Sequence, residues 1–180
     1  MRIRVVLVLL GLVLVGACSS GKADPVPTPS PFGYPGTEEG AAALARDLRT
    51  ATTPELFQSL KPTSGDYRTL YDDEFAARAE PYYERWIWTA KVPAPLEAKP
   101  DQTETSVQCF RTDDIRAWTP EVRANLAGGY EKVAPHIRPG LILCDWEYTR
   151  PGESYGMAYN GLAYVNQRWV FTPKPWRVLG

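Results

Sequence analysis

Prolines occupy every second position from Pro25 to Pro31, and Pro35 follows. Proline fixes φ, has no amide hydrogen to donate, and disfavours helical backbone in the residue before it. This stretch therefore cannot continue a helix or form a central strand, and it predicts a polyproline II spacer with a rise of about 3.1 Å per residue. We expect residues 18–37 to form a tether and residues 38–180 to form a single globular domain.

The residues before the tether are positively charged and then apolar. Arg2 and Arg4 supply the charge, residues 5–17 carry no polar side chain, and Cys18 follows them. A helix that crosses a bilayer needs about 20 apolar residues, so this run is too short to span one. The pattern predicts a signal peptide over residues 1–17.

The motif Val15-Gly16-Ala17-Cys18 resembles the lipobox of bacterial lipoproteins, and Leu14 fits the apolar position upstream. The resemblance implies cleavage before Cys18, acylation of the Cys18 thiol, and a location in the cell envelope on the extracytoplasmic side of a bacterial membrane. The partner that it implies is the lipid bilayer, which acyl chains on Cys18 would enter, because two or three chains bind stably where one binds marginally. The alternative is an ordinary cleaved signal peptide followed by a chance cysteine.

Cys109 and Cys144 are the two cysteines of the predicted globular domain. An exported domain meets an oxidising compartment, where an even pair of cysteines most simply forms a disulfide. This bond is expected to stabilise the fold by about 3–4 kcal/mol, because it removes entropy from the unfolded chain. The alternative, a reactive or metal-binding thiol pair, lacks C-x-x-C spacing and the histidines of a zinc site, so we expect neither metal nor cofactor.

The first half of the domain carries helical periodicity and capping residues. Apolar residues recur at helical spacing over residues 38–51, which predicts one helix. Further helices are predicted to begin at residues that can cap them, namely Thr53, Thr63, Asp72 and Thr119. In the helix after Asp72, one apolar stripe is predicted to face the core: Phe75, Ala79, Tyr82 and Trp86.

Residues 141–180 have the patterns of β-strands and turns. Over residues 141–149, apolar side chains and Cys144 fall on one face of a predicted strand, with Asp145 and Glu147 on the other. Asn166-Gln167 predicts a two-residue hairpin, whereas Asn160-Gly161 is either a tight turn or a break within a strand. Helices first and antiparallel strands last predict an α+β fold, with N-terminal helices packed on a C-terminal antiparallel sheet. This order of elements resembles a cystatin-like or NTF2-like arrangement.

Positive and negative charges nearly cancel, with 20 Lys and Arg against 21 Asp and Glu. Attraction to phosphates needs a concentrated excess of basic residues. We therefore expect no nucleic-acid partner.

The segment Gly152-Glu153-Ser154-Tyr155-Gly156 matches the G-x-S-x-G pattern of a nucleophile elbow. An elbow needs a helix after the serine and a histidine later in the chain, whereas here a strand-like stretch follows and His136 comes first. We interpret the motif as a turn and His136 as a structural residue. The acidic runs that begin at Asp72 and Asp113 are interpreted as a helix start and a turn.

Four residues near the C-terminus are candidates for a binding platform, namely Trp169, Lys174, Trp176 and Arg177. Aromatic side chains beside cations can stack on sugar rings or grip a peptide. The alternative, which the sequence favours, is that Trp176 packs into the core and that Lys174 and Arg177 are solvated.

The sequence contains no evident catalytic constellation, so the leading hypothesis is a non-enzymatic binding module for an envelope protein or glycan. The first alternative is an envelope hydrolase that acts on glycan or peptide through two carboxylates about 5–10 Å apart. The second is a small-ligand carrier with an apolar cavity on the order of 300 Å³.

Overall fold

A computed structural model of the protein describes residues 33–89 and 96–180. The predicted signal peptide, Cys18, and the tether as far as residue 32 lie outside this part of the chain. Among the described residues, no helix is long and apolar enough to cross a membrane.

Helices and one antiparallel sheet form an α+β arrangement, as the sequence predicts. The helices are α1 (Glu38–Thr50), α2 (Glu55–Gln58), α3 (Ser64–Leu70), α4 (Asp73–Trp86), α5 (Thr112–Ala117), α6 (Pro120–Asn125) and α7 (Tyr130–Val133). The strands are β1 (Glu104–Arg111), β2 (Ile142–Thr149), β3 (Met157–Val165) and β4 (Arg168–Phe171). Short 3₁₀ helices cover Ala134–His136 and Pro175–Leu179.

The predicted capping residues begin three of the helices. Thr63 and Asp66 form a reciprocal capping box at α3, Asp72 accepts a hydrogen bond from the N–H of Phe75 at α4, and Thr119 caps α6. These caps satisfy amide groups that have no partner within their own helix. The starts of α3, α4 and α6 are therefore confirmed.

Three predictions about the helices are wrong. Thr53 does not cap α2, because Pro54 occupies the N-cap position and makes no side-chain cap hydrogen bond. Asp113 and Asp114 lie in the first turn of α5 rather than in a turn between elements, where their carboxylates face the positive end of the helix dipole.

In α4, Tyr83 is fully buried and Trp86 is 58% exposed. The core-facing stripe therefore contains Tyr83 and does not extend to Trp86. The ring of Tyr83 stacks on that of Tyr67, which holds this side of α4 against α3.

The four strands pair in chain order, β1-β2-β3-β4. Asn166 and Gln167 join β3 to β4 with φ of 48° and 62°. Two positive φ angles are what a two-residue type I′ turn requires, so the predicted hairpin is confirmed.

The predicted disulfide joins Cys109 to Cys144 across β1 and β2. The two residues are directly opposite in the register, with Cα atoms 4.0 Å apart. The bond therefore cross-links neighbouring strands from a position where their side chains lie on the same face of the sheet.

The sheet has two faces with different cover. On the first face, which carries Cys144 and Tyr148, the Tyr148 hydroxyl donates to the carbonyl of Ala45 in α1 at 2.8 Å. On the second face, Leu143 and Ala163 are fully buried, but the end of that face near Ser106 and Ala158 is exposed. The second face is thus half covered.

A buried ion pair joins the helices to the β3–β4 hairpin. Asp66 is 1% exposed, and its carboxylate accepts hydrogen bonds from Thr63, from Asn166 at 2.8 Å and from Arg168 at 2.7 Å. Arg168 also donates to the carbonyl of Lys61 at 3.0 Å. One carboxylate therefore caps α3 and holds the hairpin turn at the same time.

We predict that Asp66→Asn lowers the free energy of unfolding by about 3–5 kcal/mol, because it leaves the Arg168 side chain, which is 12% exposed, without its counterion. Urea denaturation followed by circular dichroism measures this loss. Asp73→Asn is the matched control, since Asp73 pairs with Arg138 while 84% exposed, and it should cost less than about 1 kcal/mol. Equal losses in the two variants would contradict the assignment of Asp66.

Candidate binding site

Gly161 interrupts the regular pairing of β3. Asn160 and Gly161 together stand opposite Asp145 of β2, so β3 contains one extra residue at this point. The φ of Gly161 is +90°, and a Cβ there would lie 2.3 Å from the carbonyl oxygen of Thr172. Asn160-Gly161 is therefore a break within the strand rather than a turn, and only glycine fits it.

The chain leaves the sheet soon after this bulge. β4 pairs with residues 162–165 of β3, and the N–H of Thr172 donates to the carbonyl of Gly161 at 2.8 Å. Beyond it, the Tyr83 hydroxyl donates to the carbonyl of Pro173 at 3.1 Å. Within the described ranges, residues 157–160 of β3 consequently have a strand partner only on the β2 side.

Three cavities open around this half of β3, and Ala158 lines all of them. The face cavity, of about 500 Å³, lies on the second face of the sheet and is lined by Ser106, Gln108, Asn125, Asp145, Glu147 and Asn160 among others. The edge cavity, of about 260 Å³, is lined by Tyr82, Ile87, Leu96, Phe171, Lys174 and Arg177 among others. A third cavity, of about 460 Å³, lies towards the β2–β3 loop, beside Arg150, Glu153 and Tyr155.

Asp145 and Glu147 bring two carboxyl groups into the face cavity. Burial raises the pKa of Asp145 to about 7, although its carboxylate accepts a hydrogen bond from the N–H of Gly161 at 3.2 Å, which acts in the opposite direction. Glu147 accepts from the N–H of Gly156. Two positions along a strand correspond to about 7 Å, so the cavity holds a carboxylic acid that can donate and a second acid within reach of the same ligand.

The edge cavity has apolar walls and a cationic rim. Tyr82 and Ile87 from the end of α4 form one wall with Leu96, while Lys174 and Arg177 are exposed at the rim. Its described lining contains no acidic side chain. This combination suits a ligand that carries an apolar group next to a negative charge.

The structure divides the four predicted platform residues into two pairs. Trp169 is 1% exposed, and its indole N–H donates to the carbonyl of Pro35 at 3.1 Å. Trp176 is half-buried with its ring 5.3 Å from that of Tyr130. The two tryptophans thus pack within the domain, whereas Lys174 and Arg177 lie together at the edge cavity.

Sequence reasoning did not find the face cavity. The alternation predicts that Asp145 and Glu147 lie on the face opposite Cys144. That prediction gives their face of the sheet but not the cavity, which Asn125 also lines. The available signal was Asn160-Gly161, because glycine inside a strand pattern often marks a bulge or a close backbone approach.

The other motifs lie outside this region. Ser154 is exposed in the loop between β2 and β3. The imidazole of His136 lies 2.8 Å from the Asp72 carboxylate and stacks on Phe75, and it lines none of the three cavities. His136 is a structural residue that joins the start of α4 to the 3₁₀ helix Ala134–His136.

No family model, curated protein or solved structure matches this chain. Within residues 33–89 and 96–180, no group of three or more metal-ligating side chains could hold an ion.

We predict that Asp145→Asn stabilises the protein at pH 8 but not at pH 4. A carboxyl whose pKa is raised on folding opposes folding increasingly as pH rises from about 4 to 7, and the full effect corresponds to at most about 4 kcal/mol. Asparagine removes this penalty and can still accept the hydrogen bond from Gly161. Urea denaturation of both proteins at the two pH values measures the difference.

The exposed Asp73→Asn variant controls for the loss of one negative charge. A stability difference between Asp145→Asn and the wild type that is the same at pH 4 and pH 8 would contradict burial of the Asp145 carboxyl.

Proposed function

We propose that this protein is an exported binding module, anchored by lipid on Cys18, that presents the surface around Ala158 to a protein or glycan of the bacterial cell envelope. The observation that carries the binding role is the convergence of three cavities on Ala158, at a part of β3 that β4 does not cover. The lipobox resemblance and the proline-rich tether support the anchor.

The place where the tether joins the domain supports this arrangement. Pro35 accepts a hydrogen bond from Trp169, and Trp169 is opposite Tyr164 in the sheet. Ala158 precedes Tyr164 by six residues on β3, which corresponds to about 20 Å along the strand. The tether would therefore hold the domain by one end of the sheet and leave the cavities at the other end, away from the membrane.

Lipid rather than surface charge would hold the protein on the membrane. Removal of residues 1–17 takes away Arg2 and Arg4 and makes the net charge more negative than the −1 of the whole chain. A mildly acidic domain has no long-range attraction to an anionic membrane surface. The acyl chains on Cys18 are then the attachment that the proposal requires.

A second candidate function is hydrolysis of an envelope glycan, and Asp145 with Glu147 is the observation that favours it. Glycoside hydrolysis uses two carboxyl groups about 5–10 Å apart, one of which stays protonated near neutral pH. The raised pKa of Asp145 meets the second condition, and the first is compatible with two Cα atoms about 7 Å apart on the same face of β2. Release of reducing sugar ends from purified peptidoglycan, lost in both Asp145→Asn and Glu147→Gln, would favour this candidate over a binding module.

We predict that mass spectrometry of the native protein finds residues 1–17 absent and Cys18 acylated. In Cys18→Ser, the acyl mass should disappear and the protein should no longer fractionate with membranes, because its attachment depends on the thiol. Residues 1–17 still present in the native protein, or an unmodified Cys18, would contradict the anchor.

We predict that a photo-crosslinking side chain in place of Ala158, in the full chain in living cells, forms a discrete adduct with an envelope component. The same substitution at the exposed Arg46 of α1 is the control, because α1 covers the first face of the sheet, away from the face cavity. Identical adducts from both positions, or none from Ala158, would contradict a binding surface at β3.

A further inference from the structure

The main-chain groups of Ala158 face away from the rest of the sheet, as the alternation of main-chain directions from Cys109 onwards shows. The N–H of Cys109 donates to the Glu38 carboxylate of α1 at 3.1 Å, so the main-chain groups of Cys109 face away from β2. Those of the opposite residue, Cys144, consequently face β3, because residues opposite each other in an antiparallel pair either bond to each other or both face away. The main-chain groups of every second residue of β2 from Cys144 onwards therefore face β3 as well.

This alternation continues into β3. Trp146 and Tyr148 face β3, and their partners are Tyr159 and Met157. Because main-chain groups of successive residues face opposite sides of a strand, the N–H and C=O of Ala158 lie on the side away from β2. No residue that the structure describes pairs with Ala158 on that side. A donor and an acceptor are thus presented together where the edge cavity opens.

Two cations, Lys174 and Arg177, lie beside this edge. Lys174 and Arg177 form no ion pair with any described residue. Lys174 adopts a left-handed backbone with φ of 49°, and its N–H donates to the side-chain oxygen of Asn160 at 2.8 Å. A non-glycine residue in this conformation is held there by its surroundings, and here the holding group belongs to the same half of β3.

We infer that the edge cavity binds an extended peptide, whose main chain pairs with Ala158 and whose acidic group pairs with Lys174 and Arg177. A large apolar side chain of the peptide would lie against Tyr82 and Ile87. This inference rests on the proposed function and specifies the class of its partner. Strand addition supplies affinity through main-chain bonds, while the pocket and the charges supply specificity.

The charges and the backbone together favour a peptide over the other ligands. A glycan has no amide donor and acceptor at the spacing of a strand, and a neutral glycan leaves Lys174 and Arg177 without a counterion. A peptide with an acidic residue beside a large apolar one can make all three kinds of contact. Its main chain pairs with Ala158, its apolar side chain packs on the cavity wall, and its carboxylate lies beside Lys174 and Arg177.

The test uses the full chain, purified with its anchor in detergent, and an array of random synthetic octapeptides. Peptides retained by the protein are expected to be enriched in Asp or Glu next to Phe, Tyr, Leu or Ile. The double variant Lys174→Glu/Arg177→Glu should bind them at least tenfold more weakly. The control, Arg123→Glu/Lys132→Glu, makes the same charge change at exposed positions that line none of the three cavities, and it should change their affinity less than twofold.

A second measurement leaves the protein unaltered. N-methylation of a retained peptide, one amide at a time, should weaken binding at least tenfold at one position, because Ala158 accepts from a single peptide N–H. Absence of any octapeptide that distinguishes the wild type from the Lys174→Glu/Arg177→Glu variant, or equal binding of every N-methylated form, would overturn the inference. The proposed function would survive that outcome if the photo-crosslinking side chain at position 158 still forms an adduct with a glycan. It fails independently if that side chain forms no specific adduct.

Discussion

The bulge at Gly161 is the constraint on which the candidate site depends. Its positive φ lets β3 carry one extra residue, its N–H donates to Asp145 and its C=O accepts from Thr172. The first bond places the buried carboxyl of Asp145 in the face cavity. The second is the last main-chain bond between the two segments, because the chain turns away at Pro173, whose carbonyl accepts from Tyr83. The bulge thus lies between the acidic groups of the face cavity and the edge of β3 that β4 leaves unpaired.

The rest of the fold holds this half-covered sheet in place from the opposite end. The Asp66–Arg168 pair fixes the β3–β4 hairpin to α3, and the disulfide between Cys109 and Cys144 ties β1 to β2. Because the attachments lie at one end of the sheet, the open edge of β3 does not have to carry the stability of the domain, which suits the proposed binding module. The same arrangement suits a hydrolase that uses Asp145 and Glu147, which is why the two functions differ in chemistry rather than in architecture.

Local chemistry explains what could be predicted from the sequence. Helix starts at Thr63 and Asp72 depend on a side chain and an amide three residues away, and the strand alternation around Cys144 depends on its immediate neighbours. The site depends on long-range contacts: Lys174 was recognisable as a cation, but its place beside Tyr82 depends on two segments about ninety residues apart. The stripe of α4 was misplaced for the same reason, since packing against Tyr67 selects Tyr83 rather than Trp86.

Amide hydrogen exchange along β3 measures whether the strand edge at Ala158 is open. In the free protein, we expect the Ala158 amide to exchange fast while those of Met157 and Tyr159, which face β2, exchange slowly. We also expect a bound partner to slow exchange at Ala158 selectively. Slow exchange at all three amides of the free protein, or fast exchange at Met157 and Tyr159 with Ala158 protected, would contradict an open edge.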